Sequence, residues 1–210
     1  LVLFSLTGRS VGGRLAAGLL AGLGQFGIGL YWVTQFSVAG YLALLLVESA
    51  VIALACCLAP PGGLARLPAA AAAVTIAEWA RESWPFGGLP LGSAALGQVG
   101  GPFQFDARIG GPLLVVFAAA LAGGSLFELL AEAVRRSDRP RNSENHLVRS
   151  ISFFLVSVCL AGAGAAVIPG GTVRPLSVGI VQGGGRRGLS QLQVPASTVL
   201  RAALRETARL

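Results

Sequence analysis

Two stretches of this 210-residue chain carry residue types spaced for chemistry. In LSVGIVQGGGRRG, residues 176–188, Gly183, Gly185 and Gly188 fit G-x-G-x-x-G, the dinucleotide fingerprint, whose glycines let backbone N–H groups approach a pyrophosphate. From Gly183 to Ser190 the same residues fit a P-loop, except that Leu189 stands where the phosphate-binding lysine belongs. The second stretch, AEWARESWPFGGLPLGSAALGQVGGPFQF (77–105), gathers Glu78, Trp79, Arg81, Glu82 and Trp84 ahead of a Gly/Pro-rich run. Carboxylates, a guanidinium and indoles at that density make either an interfacial anchor, with rings at headgroup depth and charges reaching water, or a polar pocket open sideways to lipid. Glu48, alone in an apolar run, is a third candidate, because an intramembrane carboxylate costs several kcal/mol unless it is partnered or protonated.

The glycine loop fails as a phosphate site on context. A dinucleotide fold requires the helix to open directly from the glycines. Here LSQLQVP intervenes and Pro195 marks the expected helix start, while Glu206 sits within that helix rather than after a second strand. The chain contains no lysine at all, so no P-loop works within it. The loop reads as a turn.

Composition places these candidates in a membrane protein. The chain is 54% hydrophobic and 12% charged, with a mean hydropathy of +0.72, against the ~25% charge of soluble domains. The net charge of +7 is the balance of 16 arginines against nine Asp and Glu. They lie between and beyond apolar runs rather than along one face, which indicates topology control and not nucleic-acid binding. Five stretches approach the ~20 apolar residues a spanning helix needs: about 15–33, 37–58, 64–79, 109–134 and 151–168. The loop RRSDRPRNSENHLVR carries Arg135, Arg136, Arg139, Arg141 and Arg149 and is expected to face the cytoplasm, with Arg9, Arg14 and Arg66. Residues 80–108 and everything after Pro169 are then extracytoplasmic. The apolar segment 85–104 is expected to enter the interface or be covered by protein.

After Pro169 the pattern changes. PLSVGIVQ (175–182) suits a buried strand, and PASTVLRAALRETARL suits an amphipathic helix, with Leu200, Ala203 and Leu204 opposed to Arg201, Arg205 and Arg209. A lone strand and helix cannot bury a core, so a further domain is expected to begin here. The chain also lacks methionine and enters a span almost at once, which reads as a fragment. Cys56, Cys57 and Cys159 fall in apolar runs without zinc spacing and are expected to be buried small hydrophobes. His146, in the basic loop, reads as solvated. Neither a metal nor a cofactor is called for, and no Ser/His/Asp set is discernible.

In sequence order these features resemble apolipoprotein N-acyltransferases. GQFGIGLYWV resembles that family's early span ending in Trp. The 77–98 segment resembles its EWLRG…GFPWL..GYSQ run, matching at Glu78, Trp79, Arg81, Gly88, Pro90 and Gln98; Leu89 and Leu91 depart from it. PLSVGIVQG resembles the first strand of its carbon–nitrogen hydrolase (nitrilase-like) domain, and the arginine-only VQGGGRRG form resembles the actinobacterial branch. The resemblance implies a membrane all-α domain over 1–170 with about five transmembrane helices. It also implies the first strand and helix of a truncated extracytoplasmic nitrilase-like α/β domain over 171–210.

The activity implied is transfer of an acyl chain from a membrane phospholipid, through a cysteine thioester, to the N-terminal diacylglyceryl-cysteine of an apolipoprotein. The bacterial plasma membrane is the implied location. The family's Glu–Lys–Cys triad is not carried by these residues, so the chain alone is expected to be inactive, with Glu78, Trp79 and Arg81 near a substrate-binding rim. The alternative the resemblance implies is a membrane anchor for a cytoplasmic polyprenol-phosphate mannose synthase, recruited through the 135–149 loop.

Overall fold

The computed structural model describes residues 8–60, 63, 65–84, 88, 92–135, 143–167, 170 and 195–208. Helix α1 (Val11–Gly29) starts where the Ser10 hydroxyl accepts the Gly13 N–H at 3.3 Å, and α2 (Val38–Leu58) where Ser37 accepts the Gly40 N–H at 3.0 Å. Each cap satisfies an N–H that has no intrahelical acceptor. Helices α3 (Arg66–Ser83), α4 (Ala107–Arg135) and α5 (Ser143–Ala166) complete the bundle.

Successive helices run antiparallel. Arg14, at the start of α1, donates to the carbonyl of Ala59, just past the end of α2, while Tyr41 near the start of α2 donates to Gly27 O at 2.8 Å. At the start of α3, Arg66 approaches Glu128 near the end of α4. Arg108 at the start of α4 donates to the carbonyls of Val167 and Ala165, at 3.1 and 3.5 Å, past the end of α5. Arginines thus supply donors to carbonyls that the ends of α2 and α5 leave without helical partners.

Small residues set the spacing. A Cβ on Gly22 would lie 2.6 Å from Ser49 Cα, and one on Gly18 would lie 2.7 Å from Ala53 Cα, so α1 and α2 touch backbone to backbone. Helix α3 packs against both α2 and α4, burying Leu67, Ala70, Ala71, Ala73 and Ala77. Within α4, Gly110 and Gly111 leave helical geometry ahead of Pro112; Gly111 has φ 69°, a conformation open to glycine, and the helix kinks there.

Four described helical segments, Val11–Gly29, Val38–Leu58, Pro102–Val134 and His146–Ala166, are long and apolar enough to cross a membrane. The sequence reading expected five. The exception is α3, 18 residues long, which carries Arg66, Glu78, Arg81 and Glu82. At 1.5 Å per residue it extends ~27 Å, close to a bilayer's hydrocarbon thickness, and Arg66 and Arg81 find carboxylate partners on neighbouring helices. It also continues past Trp79, where the sequence reading ended the span, so Arg81 and Glu82 are helical rather than in a loop.

The described residues contain helices and no strand. The expected strand at 175–182 and the glycine loop at 183–188 lie outside the described residues, as does most of the basic loop at 136–142. Helix α6 (Ala196–Thr207) begins directly after Pro195, as the sequence pattern requires, with Leu200 and Leu204 exposed.

Candidate functional site

Near the C-terminal end of α3, one guanidinium holds two carboxylates. Arg81 Nε donates to Glu48 Oε2 of α2, and Arg81 Nη1 donates to Glu78 Oε2, one helical turn earlier, at 2.5 Å. The Phe26 ring of α1 covers the guanidinium at 4.5 Å from its centroid, adding a cation–π contact. All three charged residues are nearly inaccessible: Glu48 is 1% exposed, Arg81 2% and Glu78 5%. In such surroundings a guanidinium's planar fork suits two carboxylates better than a point charge would.

The cluster also holds backbone. Glu78 Oε1 accepts the N–H of Ala94 at 2.7 Å, tying the segment after α3 back onto the bundle. That segment turns through a short 3₁₀ helix, Leu96–Gln98, and a second, Pro102–Asp106, which leads into α4. Its approach depends on Gly88, at φ 87°, where a Cβ would lie 2.0 Å from the Glu82 carbonyl oxygen. Of the described part of the 85–104 segment, Ser93 is buried against protein while Leu96 and Val99 stay exposed, and Asp106, just past it, is fully buried.

The loop forms a wall shared by two cavities. One, of about 600 Å³, lies between α1, α2, α3 and α4, with Gln25, Cys56, Ala77, Ala94, Gln98 and Gly123 among its lining. Leu126 and Leu130 on its rim are 49% and 59% exposed, so it opens on the side of the bundle rather than at an end. The other, of about 480 Å³, is bounded by Ser93, Leu96 and Val99 of the loop, with Glu82, Gln104 and Val115.

Of the three residues the sequence marked as a substrate rim, Glu78 and Arg81 come together, but Trp79 does not join them. It is 57% exposed on another face of α3, as Trp84 is just beyond the helix at 63%. At 100° per residue Glu78 and Arg81 lie about 60° apart, while Trp79 sits about 100° from one and about 160° from the other, on the far side of α3 from their midpoint. Glu48 belongs to the cluster, and the sequence missed its pairing with Arg81. The only signal was an unmatched acid in one apolar span and an arginine inside the next helix. Asp106 was missed altogether; it is 0% exposed and neither carboxylate oxygen has a hydrogen-bond partner among the described residues.

The remaining candidates lie elsewhere. His146 contacts Arg149 through Nδ1 at 3.1 Å. Of the cysteines, only Cys56 is buried; Cys57 is half-buried and Cys159 exposed on α5, correcting the expectation that all three fill the core. Glycines, Gly18 and Gly22 on α1 and Gly164 on α5, mark the closest approaches instead.

Against this geometry, the family model for the apolipoprotein N-acyltransferase N-terminal domain matches residues 1–125. The chain belongs to this family. The match covers α1–α3, the returning loop and the first part of α4, so both cavities and the ionic cluster lie chiefly within N-acyltransferase membrane-domain sequence. No curated protein and no solved structure matches the chain. Four apolar helices and this family membership make it a multi-pass membrane protein. What the arrangement can do chemically is to enclose an apolar chain beside a fixed polar cluster. The cluster's carboxylates and guanidinium are engaged with one another and with the loop, which suits positioning rather than proton transfer.

Proposed function

We propose that this is the membrane part of an enzyme that moves an acyl chain from a phospholipid to the N-terminal diacylglyceryl-cysteine of an apolipoprotein. The observation carrying the reading is the side-opening apolar cavity of about 600 Å³. Its volume falls within the ~300–1,000 Å³ of small-molecule sites. At the ~30 Å³ a water occupies in the liquid, it has room for roughly 20 methylene-sized groups, which is one chain and not two.

Burial of each methylene contributes ~0.8 kcal/mol, but in a bilayer the chain leaves an equally apolar medium. Selection therefore comes from shape, and from Gln25 and Gln98, rather than from hydrophobicity. Glu48, Arg81 and Glu78 fix the wall that carries Gln98, which makes Glu78 and Arg81 positioning residues, not substrate contacts. Trp79 and Trp84 anchor the same end at headgroup depth. The arginine bias of the 135–149 loop supports a cytoplasmic position for it, and with it an extracytoplasmic position for this end of α3, one helix away. The Glu–Lys–Cys chemistry implied by the resemblance is not supplied by this lysine-free chain.

The test is photo-crosslinking of the purified protein in nanodiscs with a phospholipid bearing a diazirine on one acyl chain. Crosslinks are expected to concentrate on Gln98, Ala119 and Gly123, and Gly123→Phe is expected to abolish them. Labelling no denser there than at Leu42 and Leu46, which are exposed on α2, would defeat the acyl-chain reading.

A further inference from the structure

The hydrogen-bonding groups of the side-opening cavity are gathered at one end of it. Apart from the Cys56 thiol and the amides of Gln25 and Gln98, the described side chains lining it are hydrocarbon. Gln25 lies four residues before the end of α1, about 6 Å along the axis. It adjoins Phe26, whose ring covers Arg81. Gln98 ends the 3₁₀ turn Leu96–Gln98, in the segment that Glu78 holds through the Ala94 N–H. Both amides therefore sit at the level of the ionic cluster. From there the cavity follows α4 from Val116 past Ala119 and Gly123 to Leu130, ~21 Å at 1.5 Å per residue.

Neither side-chain amide has a hydrogen-bond partner among the described residues, whereas Gln104 of the same loop accepts the Gly100 N–H at 3.1 Å. An amide in apolar surroundings costs free energy until its N–H groups find an acceptor. The backbone at Gln98 is fixed: its N–H donates to Ala95 O at 3.0 Å, and its carbonyl accepts the Gly101 N–H at 2.8 Å. A Cβ on Gly101 would lie 3.2 Å from Gln98 Oε1. The oxygen is thus turned toward the loop's own turn, and the NH₂ end is left for a ligand. The charged groups at this level are engaged with one another and with the loop, Arg81 by Glu48 and Glu78, and Glu78 by the Ala94 N–H. Two amide donors at the head of an apolar slot call for an acceptor that carries a long chain and has no proton to give.

We propose, resting on the acyl-chain reading of this cavity, that Gln25 and Gln98 donate to the carbonyl oxygen of the ester joining that chain to its lipid. An ester carbonyl accepts hydrogen bonds and donates none. It lies where headgroups meet hydrocarbon, the depth at which Trp79 and Trp84 anchor this end of the bundle. The two bonds set where the chain begins, so the same methylenes always meet Ala119 and Gly123. They also hold the carbonyl carbon at the α3 end of the cavity. A chain in ether linkage has no carbonyl to offer and enters without a fixed register.

Two probes with one headgroup test this in nanodiscs: a diester phospholipid and its dialkyl-ether counterpart, each with a diazirine at the middle of one chain. Labelling of Ala119 and Gly123 by the ester probe is expected to exceed that by the ether probe about fivefold, the ratio that one hydrogen bond of ordinary strength sets. Gln25→Met combined with Gln98→Met keeps side-chain length and removes both amides. It is expected to lower the ester signal to the ether level and to spread it along α4. Unchanged labelling by the ether probe in that variant reports that the cavity is intact. Equal labelling by the two probes in the unaltered protein overturns the proposal, and so does an ester preference that survives the double substitution. Loss of both signals in the variant also overturns it, because the amides would then hold the wall and not the ester. If neither probe labels Ala119 or Gly123 above Leu42 and Leu46 in the unaltered protein, the acyl-chain reading itself fails, and the ester contact with it.

Discussion

The bundle carries an ionic cluster at each end of α3, and the two are built oppositely. At the C-terminal end one arginine serves two carboxylates, Glu48 and Glu78, with side chains 2–7% exposed. At the N-terminal end one carboxylate, Glu128, serves Arg66 at 3.7 Å and Arg149 at 3.3 Å and accepts the Ser150 hydroxyl at 2.9 Å, with the charged side chains about 15% exposed. Arg149 also reaches Gly63 O at 3.2 Å. The first cluster fixes a loop that walls two cavities; the second ties three helices together at longer distances and with less complete burial. Burial, not the number of ion pairs, separates a positioning device from a fastening.

Removing the buried arginine should have the largest effect. Arg81→Met strands two buried carboxylates and is expected to cost about 3–5 kcal/mol, read as a drop in thermal unfolding midpoint in detergent. Adding Glu48→Leu and Glu78→Gln should restore much of that stability. The neutral amide that Glu78→Gln introduces should hold the Ala94 N–H less firmly than the carboxylate does, so acyl crosslinking at Gln98 becomes diffuse. If the triple variant remained as unstable as Arg81→Met, uncompensated charge would not be the cause.

The glycines offer an internal control, because each end of α3 has one at positive φ: Gly63 at 90° and Gly88 at 87°. Gly63 has nothing within 4 Å of an added Cβ, whereas Gly88 would meet the Glu82 carbonyl oxygen at 2.0 Å. Alanine at Gly63 should carry only the backbone penalty of about 1–2 kcal/mol. Alanine at Gly88 should add about 1–3 kcal/mol of overpacking and displace the cavity wall. Equal losses at both positions would show that the loop after α3 yields freely.

The smallest change is expected at the less deeply buried cluster. Glu128→Gln should cost no more than about 1 kcal/mol, and the loss should shrink as salt rises toward ~1 M. The Arg81→Met loss should not respond to salt. A salt-independent Glu128 effect would place that cluster in the same class as the buried one and remove the distinction.

Helices α1, α2, α4 and α5 were legible because each is an apolar run bounded by Ser, Pro or arginines, and the family was legible from Glu78, Trp79, Arg81 and Gln98 in order. The start of α6 was legible from Pro195. Helix α3 was the misjudged element: its charges marked a membrane exit by composition, yet the chain stays helical to Ser83. Local pattern cannot report that a partner for Arg81 waits 33 residues earlier. The isolation of Trp79 from Glu78 and Arg81 was implicit in helical periodicity once those residues were known to be helical.

The sequence alone determined the solvent and the class. Its hydrophobic content, its arginine-marked loops and the order of its motifs place α-helices in a membrane and identify an N-acyltransferase membrane domain, because those properties are carried by each segment independently. Only the tertiary structure decided which charges meet. It put Glu48 against Arg81, folded the Ser93–Val99 segment onto Glu78, and made two unlike cavities from opposite faces of one loop. Those outcomes depend on how closely α1, α2 and α3 approach, which Gly18, Gly22 and the alanines of α3 permit, and such distances between helices are not written in any single segment.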